Sequence, residues 1–156
     1  MVRSFHIERL PYIDVHEVAV DADVDAAWRA VLRVVRASFG GADHAWLSHA
    51  LRLEPARATG TWAPEPEPGA AVQGFEVGVA RRAELLSLRG RHRFSRYRLD
   101  VEVAPDGDDR SLVRARTWAE FPGILGAAYR ALVIGSGGHR LVVSRMMRRV
   151  AREGGR

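Results

Sequence analysis

The sequence predicts an α+β fold in which a curved antiparallel sheet wraps around a long C-terminal helix, with two short helices after the first strand. Three observations predict it. Residues 72–121 keep a period of two, sending apolar side chains to one face and charged ones to the other. Residues 124–152 change to helical spacing, with an apolar stripe on one side and arginines opposite. Ahead of both, a β-branched run at 12–20 leads straight into a helix N-cap signal.

Each element follows from its residues. The first strand carries Ile13, Val15, Val18 and Val20. In Asp21-Ala-Asp-Val-Asp25, Asp23 is the best-placed N-cap and Asp25 suits the positive end of the helix dipole. Val24, Trp28, Val31, Leu32 and Val35 then recur at helical spacing, Arg29, Arg33 and Arg36 turn away, and Gly40-Gly41 closes the helix. A second short helix is expected over 42–49, and alternation over 51–58 is expected to open the main sheet. Pro64, Pro66 and Pro68 exclude a central strand between Trp62 and Gly69, leaving either a surface connection or a lid over a pocket mouth.

Strands are expected at 72–80, 84–94, 97–104 and 111–121, with a turn at 105–109. Alternation puts Phe75, Val77, Val79, Leu86, Leu88, His92 and Phe94 on one face. Tyr97, Leu99, Val101, Val113, Ala115, Thr117 and Ala119 continue it. The opposite face holds Arg89, Arg91, Arg93, Arg96, Arg98, Arg114 and Arg116, with Asp100, Glu102 and Glu120 as cross-strand partners. Leu125, Tyr129, Leu132, Val133, Ser136, Val143, Met147 and Val150 form the stripe of the final helix, which Gly135-Ser-Gly-Gly138 is expected to kink. Small Ala115 and Ala119 either let that helix approach closely or leave a void beneath it.

Composition excludes several chemistries. A length of 156 residues suits one domain over 1–156. All 24 basic side chains are Arg, so no lysine Schiff base can form. Without cysteine there are no disulfides, thiolate metal sites or thiol nucleophile. No apolar run reaches the ~18 residues of a membrane span. Arg3, His6, Glu8 and Arg9 stand where a signal peptide needs apolar residues, so a cytoplasmic location is expected. The net charge of +5 is modest, and alternation separates the arginines from Phe94 and Tyr97, whereas nucleic-acid stacking platforms expose both together. No nucleic-acid partner is therefore expected. Gly135-Ser-Gly-Gly138 is neither a nucleophile elbow nor a phosphate loop, since it lies within a helical pattern. His44 and His49 miss the i, i+4 spacing that converges imidazoles on a metal. Neither a metal nor a cofactor is expected, and the sequence specifies no oligomeric state.

The order of elements resembles the START and Bet v1-like (SRPBCC) helix-grip superfamily. Val18-Ala-Val-Asp-Ala-Asp-Val-Asp-Ala-Ala-Trp28 is similar to its entry, a strand leading into a capped helix with a Trp one turn in. Gly90-Arg-His-Arg-Phe-Ser-Arg-Tyr97, Phe121-Pro-Gly, Tyr129-Arg-Ala-Leu-Val-Ile-Gly135 and His139 resemble a bacterial branch near the polyketide cyclase-like proteins. The resemblance implies a cavity between sheet and final helix for a hydrophobic molecule such as a lipid, sterol or polyketide. It implies no shared catalytic residue.

The expected walls of that cavity are Val77, Val79, Leu88, Leu99 and Ala115 from the sheet, and Tyr129, Val133 and Ser136 from the helix. Among them His92, Tyr97 and Thr117 bring polar groups to the inner face, where they either orient a ligand or satisfy one another as structural partners. His139 lies at the edge of the helix stripe and His16 shares parity with Val18 and Val20. Three functions are compatible with this pattern. The first is binding of a small hydrophobic ligand. The second is a cyclase or dehydratase in which His92 or His139 moves a proton while Tyr97 polarises a carbonyl. The third is a filled-core interaction protein.

Overall fold

The structure, a computed structural model, describes residues 9–40 and 45–156. The expected absence of a leader at the N-terminus, the start of the helix expected from residue 42, and His44 lie wholly or largely outside them. Strand β1 (Tyr12–Val20) is followed by α1 (Val24–Phe39) and α2 (Ala45–Leu51). Five strands come next: β2 (Ala71–Val72), β3 (Phe75–Arg81), β4 (Leu85–His92), β5 (Ser95–Pro105) and β6 (Ser111–Glu120). Helix α3 (Gly123–Arg130), a π-helical turn (Ala131–Gly135) and α4 (Gly138–Gly154) end the chain. The six strands form one antiparallel sheet in the order β1-β6-β5-β4-β3-β2.

Helix α1 forms where its cap and apolar stripe place it. Asp23 accepts a hydrogen bond from the Ala26 amide at 2.7 Å, and Trp28, Val31, Leu32 and Val35 are buried. They meet the sheet at Leu86, Val101, Val103 and Val113, and meet α4 at Val143, Met146, Met147 and Val150, in one core. On the far face Arg116 pairs with Glu102 at 2.9 Å, Arg98 with Asp100 at 3.4 Å and Arg96 with Glu120 at 3.6 Å. The arginine run is thus an ion-paired outer face. The proline-rich segment is a packed connection. The buried Trp28 indole donates to Glu65 at 2.7 Å, and the Trp62 indole donates to the Ala71 carbonyl.

Four expectations need correction. Residues 51–58 form no strand of the sheet; they contribute only an isolated bridge from Glu54 to Arg91, and Pro55 has no amide hydrogen to extend a ladder. The strand expected over 72–80 is a hairpin, because Gln73-Gly74 turns the chain with Gly74 at φ 81°. Within β3 the register shifts between Val77 and Val79, so that Val77 opposes Leu88 but Val79 opposes Ser87. This bulge at Gly78 reverses the alternation. Val79 therefore leaves the inner face and is 39% exposed, while Ala80 turns in against the core.

The break expected at Gly135–Gly138 is present and sets the long C-terminal helix α4 apart from α3; the fourth correction concerns the apolar stripe drawn through it. The π turn adds a residue to the helical repeat, and Gly137 at φ 77° breaks the ladder before α4. The stripe projected through this break does not survive it. Leu125 and Leu132 point to solvent, Leu132 being 70% exposed, and Ser136 is exposed with its hydroxyl turned back to the Leu132 carbonyl.

One close approach orders the open end of the sheet. The Gly74 carbonyl lies over Gly90 so closely that a β-carbon there would sit 1.9 Å from it, and the Tyr97 hydroxyl donates to the same carbonyl at 2.8 Å. Gly90→Ala is therefore expected to destabilise the protein by at least about 1–3 kcal/mol in urea denaturation, since backbone must move. The bulge gives a second expectation. Val77→Ala should cost roughly 1.5–3 kcal/mol, whereas Val79→Ala should stay within about 0.5 kcal/mol. Equal costs at the two positions would contradict the register shift.

Candidate ligand cavity

A cavity of about 240 Å³ lies between the inner face of β5 and β6 and the segment running from α3 into α4. It exists because the helical cover is interrupted there. Leu99, Thr117 and Ala119 form its floor; Tyr129, Val133, Ile134, His139 and Val143 form its roof. Of the residues expected in its walls, His92, Tyr97, Leu99, Thr117, Tyr129 and Val133 line it. Val77, Leu88 and Ala115 belong instead to the packed core. Val79 and Ser136 face away, for the reasons of register and helix break given above.

One end of the cavity is an aromatic chain. Phe39 of α1 meets Phe75 at 4.7 Å between ring centroids, and Phe75 meets Tyr97 at 5.1 Å. His92 sits against Tyr97 at 5.6 Å and against Tyr129 at 4.7 Å. The polar atoms in this chain are largely committed. The Phe94 amide donates to His92 Nδ1 at 3.1 Å, which puts the ring proton on Nε2. Burial holds the His92 pKa below its ordinary value. Burial, and next the nearby Tyr129, push the Tyr97 phenol well upward, and burial also raises Tyr129.

At the other end stands a group that the alternation pattern did not single out. The register shift between Tyr12 and Asp14 brings Asp14 opposite Thr117 and His16 opposite Ala115, both on the inner face. There the Asp14 carboxylate joins two imidazoles. His16 Nε2 lies 3.2 Å from Oδ2, and His139 Nε2 lies 3.3 Å from Oδ1. His16 Nδ1 is also engaged, 3.4 Å from the Ser144 hydroxyl. His16 and His139 were legible as inward-facing histidines; Asp14 shares the parity of His16, but an acidic residue in a strand was not singled out. No group of side chains among the described residues is arranged to hold a metal. The proline-rich segment contributes nothing to the cavity wall.

No protein-family model matches the chain, and no curated protein matches it in sequence. Solved structures do match in shape. Norcoclaurine synthase from Thalictrum flavum superposes with a TM-score of 0.52 at 16% identity, over 97% of this chain and 94% of that one. CalU16 from Micromonospora echinospora gives 0.50 at 15% identity, over 90% and 82%. Ara h 8.0201 gives 0.50 at 10% identity, over 90% and 95%. The fold is the Bet v1-like helix-grip. At these identities the likeness concerns the helix-grip architecture alone, and the chemistry of the cavity rests on its own side chains. Among the described residues no helix is long and apolar enough to cross a membrane.

The buried imidazole yields a pH test. With the folded His92 pKa lowered from 6.5, the unfolded chain takes up this proton first as pH falls. Its contribution to stability is present above that value and is lost as pH falls through it. Between about pH 7.5 and about pH 5.5, His92→Gln should therefore lose less stability in urea than the wild type. Parallel losses would show that His92 is as accessible to protons when folded as when unfolded.

Proposed function

We infer that the protein binds a small hydrophobic molecule in the cavity beneath α3 and α4. The observation that carries this reading is the unfilled apolar space itself. Aliphatic and aromatic side chains make up most of its wall, and burial of ligand surface against them supplies the driving force. Its size narrows the ligand. A volume of 240 Å³ falls below the ~300–1,000 Å³ of sites that enclose drug-sized molecules, and equals about eight waters at liquid density. A molecule of one or two rings fits this space better than an intact lipid or sterol.

The cyclase or dehydratase reading has less support. It needs Tyr97 to donate to a substrate carbonyl, yet that hydroxyl already donates to the Gly74 carbonyl. A filled-core interaction protein is disfavoured by the same cavity that supports ligand binding.

Two measurements test the binding reading. Native mass spectrometry of the freshly purified protein, followed by organic extraction, is expected to release a bound apolar molecule of this size. Ala119→Phe, which extends a ring into the cavity, should weaken binding of naphthalene at least tenfold while leaving the thermal midpoint close to that of the wild type. In a filled core the same change would instead cost about 1–3 kcal/mol through overpacking. A bare mass together with no naphthalene binding by the wild type would overturn the reading.

A further inference from the structure

We propose that Asp14, His139 and Thr117 form a hydroxyl-recognition site at the β1–α4 end of the cavity, so that the ligand is a small apolar molecule bearing an O–H group. This rests on the reading of the cavity as a ligand site and names the chemistry of its occupant.

The two histidines that share Asp14 differ in what is left over. His16 uses both ring nitrogens, Nε2 toward Asp14 and Nδ1 toward Ser144, and it ties β1 to α4. His139 uses only Nε2. A carboxylate can only accept, so its contact with Nε2 keeps the proton on that nitrogen and leaves Nδ1 as a lone-pair acceptor. Among the described residues His139 Nδ1 has no partner. His139 lines the cavity, while Asp14 and His16 stand behind its wall. Asp14 is accordingly the positioning residue and His139 the group that meets the ligand.

Thr117 supplies an independent observation. It is only 7% exposed, lines the same cavity, and its hydroxyl has no hydrogen-bond partner among the described residues. An orphaned buried hydroxyl carries a desolvation cost that a ligand hydrogen bond would relieve. Thr117 stands directly across from Asp14 in the β1–β6 register, which places its side chain beside the carboxylate on one face. An acceptor on His139 and a hydroxyl on Thr117, able both to donate and to accept, suit a ligand O–H whose hydrogen goes to imidazole and whose oxygen accepts from Thr117. Ser95, Arg98, His92 and Tyr97 also border the cavity, but aliphatic and aromatic side chains make up most of the remaining wall, so the remainder of the ligand is largely apolar.

The probes are 2-naphthol and naphthalene, which differ by one hydroxyl, titrated by fluorescence at about pH 8, above the ordinary imidazole range. The wild type is expected to bind 2-naphthol about five- to tenfold more tightly than naphthalene, the gain of a satisfied buried hydrogen bond. His139→Phe should abolish that preference and retain naphthalene binding. Thr117→Val should reduce the preference, and Asp14→Asn should reduce it without touching the ligand, by releasing the tautomer. Each preference is a ratio within one protein, so partial destabilisation of a variant cancels. Equal binding of the two probes by the wild type, or a preference that survives His139→Phe, would overturn the hydroxyl site and leave the cavity reading standing. Binding of neither probe would overturn both. Long-range proton–nitrogen NMR of the wild type checks the tautomer without any variant: His139 protonated at Nε2 is expected, and protonation at Nδ1 would refute the proposal.

Discussion

A sheet with one apolar face must be covered along its whole length, and here two helices of unequal reach share that task. Helix α1 is continuous and packs Trp28, Val31, Leu32 and Val35 into one core with Leu86, Val101 and Val113. The second cover is broken. Between Arg130 and Gly138 the chain passes through a π turn and a left-handed glycine, and the stripe of α3 falls out of line with that of α4. Over Leu99, Thr117 and Ala119 there is consequently floor without a fitted roof. Close packing elsewhere makes this shortfall local, because a well-packed core does not flow to fill a void.

The polar groups follow the same division. At the aromatic end, His92 and Tyr97 find backbone partners in Phe94 and Gly74, so they contribute order and shape. At the β1 end the partners are side chains, and the count does not close. Asp14 satisfies two imidazoles, yet the buried Thr117 hydroxyl at the cavity wall has no partner among the described residues. Buried polar groups without partners are costly, and their retention at a cavity wall is the feature that distinguishes a binding end from a packing end.

Much of the architecture was legible because short-range rules suffice for it. The Asp23 cap acts within one turn, and the helix it starts is the one expected. Strands β4, β5 and β6 lie within a few residues of their expected limits, since each alternates without interruption against a neighbour that does the same. Failures cluster where one residue is gained or lost. At Gly78 a bulge sent Val79 outward, and in the final helix the π turn and Gly137 left Leu132 and Ser136 exposed. A bulge depends on what the partner strand offers, and single-strand periodicity contains no such term.

The sequence by itself determined the helix-grip order of elements, the apolar and charged faces of the sheet, and the inward direction of His92, Tyr97 and Thr117, because alternation and capping are local in the chain. Only the tertiary structure decided which of these side chains border empty space. Val77, Leu88 and Ala115 share the inner face with Thr117 and Ala119, yet belong to the packed core, while Thr117 and Ala119 border the cavity. It alone also joined Asp14 to His139 across most of the chain. Whether an inward residue packs or lines a cavity depends on the shape of the element above it, and that shape is settled by distant residues.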